Sequence, residues 1–94
     1  TVAGHVTALF DRASNTLSHC GFEQSSARRA LYHLLGTAVA NLQSGPPKEV
    51  MTGPIARGDV EVTAQHIEAL RAVDPELAGI YQSLARIATE LMND

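Results

Sequence analysis

Asp74-Pro75-Glu76-Leu77-Ala78-Gly79-Ile80-Tyr81-Gln82-Ser83-Leu84-Ala85-Arg86-Ile87-Ala88-Thr89-Glu90-Leu91 holds a helix start and a helix face in one run. Asp74 offers a side-chain oxygen to the unpaired N–H groups of a first turn. Pro75 lacks an N–H that this turn would leave unused, and its φ is already helical. Glu76 puts negative charge where the helix dipole favours it. Leu77, Ile80, Tyr81, Leu84, Ile87, Ala88 and Leu91 then recur at spacings of three and four, the period of an amphipathic helix.

The same period governs the rest of the chain. Val2, Val6, Leu9, Phe10, Ala13, Leu17 and Cys20 fall on one stripe, and Gly21 follows as a stop that tolerates positive φ. A second helix is expected from about Glu23 to Gln43. Its stripe is Ala27, Leu31, Leu34, Leu35, Ala38 and Leu42, with Val39 adjoining. Ser44-Gly45-Pro46-Pro47 ends it, since proline removes a donor and pushes the preceding residue out of the α region. Lys48 to Gly58 is the one substantial stretch without periodicity, with room for a short helical turn around Lys48–Met51. Asp59 caps a third helix over about Val60 to Ala72, with Val60, Ala64, Ile67 and Leu70 expected inside. No stretch alternates with the period of a strand. The expectation is an all-α domain of four helices over residues 1–94, with no internal repeat.

Bulk composition narrows the function. The chain has 94 residues, 45% of them hydrophobic but only 4% aromatic, with no Trp. A core must come from Leu, Ile, Val and Ala, and a chain this short buries only roughly 60–65% of its unfolded surface. Self-association or docking on a second domain is therefore expected. The net charge is −3, and the seven Lys and Arg are scattered, which argues against a nucleic-acid partner. No apolar run reaches the roughly 20 residues that cross a bilayer, so no membrane role is expected. Cys20 stands alone, which excludes an internal disulfide and fits a reducing, cytoplasmic setting. At the end of its stripe it reads as a small buried hydrophobe. The chain opens at Thr1 without an initiator Met and reads as a piece of a longer protein.

Chemistry-bearing residues are few. His5, His19, His33 and His66 show no metal-ligand spacing, and no metal site is expected. No nucleophile elbow, phosphate-binding P-loop or Gly-x-Gly-x-x-Gly turn is present, and no catalytic residue can be assigned. Two polar features remain. His33, Thr37 and Asn41 recur every four residues and stack on one helix face, beside Gly36. They make either a solvated face or the wall of a cleft. Thr52-Gly53-Pro54-Ile55-Ala56-Arg57-Gly58-Asp59 is a loop of fixed path leading into a helix. In it Arg57 is either a surface cation or a clamp for a carboxylate or phosphate.

Met51-Thr52-Gly53-Pro54-Ile55-Ala56-Arg57-Gly58-Asp59, followed by His66, Ala69-Leu70, Asp74-Pro75-Glu76-Leu77 and Tyr81, resembles a known domain. It is similar to the C-terminal domain of the Rossmann-like proteins of domain-of-unknown-function family 2520. Leu35-Gly36-Thr37, Asn41-Leu42 and the opening Gly4-His5-Val6 match as well, and Thr52 to Asp59 is the most specific part. The resemblance covers nearly the whole chain. One departure is Gly4, where the family pattern has Asn, so no role is carried over to it.

The resemblance implies a four-helix domain of the 6-phosphogluconate dehydrogenase C-terminal-like type, here without its N-terminal Rossmann domain. Its relatives in architecture are pyrroline-5-carboxylate reductase and ketopantoate reductase. It further implies a homodimer, a nucleotide-binding domain in the same polypeptide, and NADP or NAD bound by the full-length protein but not by this segment alone. Thr52, Gly53, Pro54, Arg57 and Asp59 would lie near substrate and cofactor, with Thr37, Asn41 and His33 as further wall residues. None of these is a convincing general acid, His33 being the least unsuitable. The family leaves the substrate open. A non-enzymatic dimerisation or binding module is the alternative, suggested by long apolar stripes without an acid–base pair.

Overall fold

The computed structural model describes residues 1–93. It contains α1 (Val2–His19), α2 (Gln24–Ser44), α3 (Pro47–Val50), α4 (Val60–Val73) and α5 (Pro75–Asn93). No strand forms among the described residues, so the all-α expectation holds. The four long helices are those read from the period, and α3 is the short turn that opens at the second proline of the pair. The chain divides into two compact units, Thr1–Ala40 and Asn41–Asp94, and the boundary falls within α2.

In the first unit, α1 ends in a Schellman motif. Gly21 takes a φ of +103°. The Gly21 N–H donates to the Ser18 carbonyl (3.1 Å) and the Phe22 N–H to that of Leu17 (3.2 Å), which pairs carbonyls the last turn would otherwise leave bare. Val6, Phe10, Ala13 and Leu17 are half-buried, while Val2 and Leu9 are exposed. Cys20 is exposed too, against expectation. The helix closes at His19, and the turn through Gly21 leaves the thiol outside the covered stripe. Ser14 is instead the buried polar residue, at 2% exposure. Its hydroxyl donates to the Phe10 carbonyl at 2.9 Å, so covering it strands no donor.

Along α2 the stripe is covered in part. Ala27 is wholly buried and Leu31 and Leu35 are half-buried, but Leu34 is 68% exposed and Ala38, Val39 and Leu42 are also open. The expected face is therefore a single line, Ala27–Leu31–Leu35, rather than an arc.

In the second unit, α4 and α5 pack extensively on each other. One residue makes the turn. Pro75 disfavours the α region for Asp74, which adopts φ −149° and ψ 89°. Its N–H still closes α4 on the Leu70 carbonyl (2.7 Å), while its Oδ1 accepts from the Leu77 N–H (3.1 Å) to open α5. At the other end of α4, Asp59 Oδ1 accepts from the Val62 N–H at 3.2 Å, the expected N-cap.

Two burial expectations are corrected here. Val60 is 78% exposed and Ala64 is exposed, while Val62, Thr63, Ile67 and Leu70 are half-buried. Ile67 and Leu70 belong to both candidate lines. The covered one runs through Thr63, whose hydroxyl donates to the Asp59 carbonyl (3.1 Å) and so tolerates cover. On α5, Leu77, Ala78 and Ala85 are buried, with Tyr81, Ala88, Leu91 and Met92 half-buried. Ile80, Leu84 and Ile87 are exposed. The covered side thus combines the short side chains of Ala78 and Ala85 with Leu77, Tyr81 and Leu91, while Ile80, Leu84 and Ile87 form the adjoining exposed line.

No helix among the described residues is long and apolar enough to cross a membrane.

Candidate functional site

The Thr52–Asp59 loop is one helical turn with glycine at either side. Gly53 takes φ +94° and Gly58 φ +71°, a region where an L side chain costs roughly 1–2 kcal/mol. Between them the Arg57 N–H donates to the Gly53 carbonyl (3.3 Å) and the Gly58 N–H to that of Ile55 (3.0 Å). The Asp59 N–H donates to the Pro54 carbonyl (2.8 Å). The last two bonds repeat the pattern that closes α1, with Gly58 in the role of Gly21. The sequence dictates this locally: Pro54 starts the turn with its φ preset and Gly58 stops it.

These bonds decide which groups remain available. Gly53, Pro54, Ile55 and Ala56 are half-buried, whereas Thr52 and Arg57 are exposed. The backbone N–H of Arg57 is spent within the turn. Its guanidinium has no hydrogen-bond or ion-pair partner among the described residues. Asp59 is half-buried and committed on two sides, its carboxylate to Val62 and its carbonyl to Thr63. Asp59 thus caps α4 through one carboxylate oxygen. Thr52 and Arg57 are the exposed polar side chains of the loop, the Arg57 guanidinium being a planar fork suited to carboxylate or phosphate.

Of the second polar feature, His33 and Thr37 lie on α2 in the first unit, and Asn41 follows on the same helix in the second. His33 is exposed and meets Tyr32 edge-on, with ring centroids 6.3 Å apart. The Thr37 hydroxyl donates to the His33 carbonyl at 3.1 Å, so its proton is used within the helix and only lone pairs face outward. Asn41 is half-buried. A Cβ placed on Gly36 would meet nothing within 4 Å among the described residues. Thr52, Gly53, Pro54, Arg57 and Asp59 thus form one contiguous element, and the α2 residues form another.

The fold also pairs two residues whose partnership the sequence reading did not foresee. His66 Nδ1 on α4 and the Tyr81 hydroxyl on α5 are 3.0 Å apart, with the rings edge to face at 6.1 Å. His66 is exposed and Tyr81 half-buried, so the pair sits at the rim of the α4–α5 contact. A signal existed. His66 stands eight residues before Asp74 and Tyr81 seven after it, so a chain that reverses at Asp74 brings them level. Ion pairs between Glu68 and Arg71 and between Arg86 and Glu90 lie within single helices and are exposed, which makes them worth little. Among the described residues, no three His, Cys, Asp or Glu side chains converge to hold a metal ion.

No curated protein and no solved structure matches the chain. The family model described as Domain of unknown function (DUF2520) matches residues 1–88, and the chain belongs to that family.

Proposed function

We propose that this chain is the dimerisation and substrate-cleft domain of an NAD(P)-dependent oxidoreductase. NADP or NAD would be held by a Rossmann-type domain elsewhere in the same polypeptide. The described residues contain no strand leading into a glycine-rich phosphate turn, so the dinucleotide is not assigned to this segment and no chemical step is derived through it. The part left to this domain is to hold the substrate and keep water out. The observation that carries the reading is the Thr52–Asp59 loop of a family member, which fixes its own backbone and leaves one guanidinium free. Arg57 anchors an anionic group of the substrate. Thr52 supplies a hydrogen bond beside it on the same loop, and Thr37 and Asn41 on α2 are proposed as separate hydrogen-bonding wall residues. No general acid is assigned, His33 being the least unsuitable. Ile80, Leu84 and Ile87 of α5 and Leu34, Val39 and Leu42 of α2 are the apolar surface offered to a second copy and to the nucleotide-binding domain. The free, exposed thiol of Cys20 fits a cytoplasmic setting.

The test uses the full-length protein that carries this segment. Titrating NADPH and NADH by fluorescence or calorimetry is expected to show binding of one of them, and no binding of either removes the reading. Arg57→Ala is expected to weaken anionic substrate or inhibitor binding at unchanged dimer content. The second reading is a non-enzymatic dimerisation module. It is favoured by the exposed apolar lines and by the absence of a second polar group held against Arg57 among the described residues. On that reading Arg57→Ala and Thr52→Ala are silent, and Leu84→Glu abolishes the dimer in sedimentation.

A further inference from the structure

We draw no further inference here: the strongest candidate, the exposed Ile80–Leu84–Ile87 line along α5, belongs to the docking surface already proposed, and nothing in the structure shows whether a second copy, a nucleotide-binding domain or another helix covers it.

Discussion

The α4–α5 hairpin and the α1–α2 half of the chain use the same residues at the same spacing, but they differ in how much of each stripe is covered. In the hairpin a single extended residue, Asp74, joins two capped helices, and Leu77, Ala78 and Ala85 are buried. In the first unit only Ser14 and Ala27 are buried, although α1 and α2 are as long as α5 or nearly so. Length and amphipathic period are therefore poor guides to self-sufficiency. A helix in water draws most of its stability from packing of its apolar face, and the hairpin provides that packing internally. Within the first unit, α2 keeps Leu34 and Val39 exposed although it is at least as long as either helix of the hairpin and carries the same period.

The largest expected effect tests that contrast directly. Leu77→Ala removes a side chain only 5% exposed and should cost about 2–4 kcal/mol. In thermal melts followed by circular dichroism this lowers Tm by roughly 10 °C or more. Leu34→Ala on α2 should change stability by no more than about 0.5 kcal/mol. A loss at Leu34 as large as that at Leu77 would show that α2 is covered in solution, and the contrast would fail.

The cap on α4 comes next. Asp59→Ala leaves the Val62 N–H without its acceptor and should cost about 1 kcal/mol. Asp59→Asn, which keeps an oxygen at the cap, should recover most of it in denaturant titrations. A ligand role for the carboxylate would instead make the Asn variant as poor in binding as the Ala variant.

A smaller change of opposite sign is expected at Gly36, which lies inside α2 with open space around it. Gly36→Ala should stabilise by roughly 0.5–1 kcal/mol, since glycine in a helix interior loses the most conformational freedom on folding. Destabilisation would mean that another backbone approaches α2 there, which sharpens the case for a cleft wall at Thr37.

The smallest effect belongs to the His66–Tyr81 pair. Tyr81→Phe deletes one hydrogen bond at an exposed rim and should cost about 0.5 kcal/mol, the low end for such bonds. The His66 ring resonances should move at the same time. Unmoved resonances would show that the 3.0 Å contact is not held in solution.

Much of the fold was legible in the residues because helix ends are local events. Gly21, the Pro46-Pro47 pair, Asp59 and Asp74-Pro75 each stop or start a helix through groups within a few positions of themselves, and each does so in the structure. The loop was legible for the same reason, as Pro54 and Gly58 bracket a turn that needs no distant partner. Burial was read less well. The period places Val60, Ala64, Leu34 and Cys20 inside, yet they are exposed, while Ser14, Ala78 and Ala85 lie off the stripes and are buried.

The sequence by itself settled that this is an all-helical chain, which glycine, proline and aspartate positions break its helices, and that Thr52–Asp59 is a loop of fixed path that carries Arg57. Backbone hydrogen bonds four residues apart, cap oxygens and proline stereochemistry act over short range, so neighbouring residues suffice to specify them. Tertiary structure alone decided which line of each apolar arc is covered and that His66 meets Tyr81. An apolar arc wider than one line permits several rotations of a helix about its axis. Only contact with a packed neighbour selects among them, favouring lines where small side chains such as Ala78 and Ala85 allow close approach and where hydroxyls such as Thr63 are already paired.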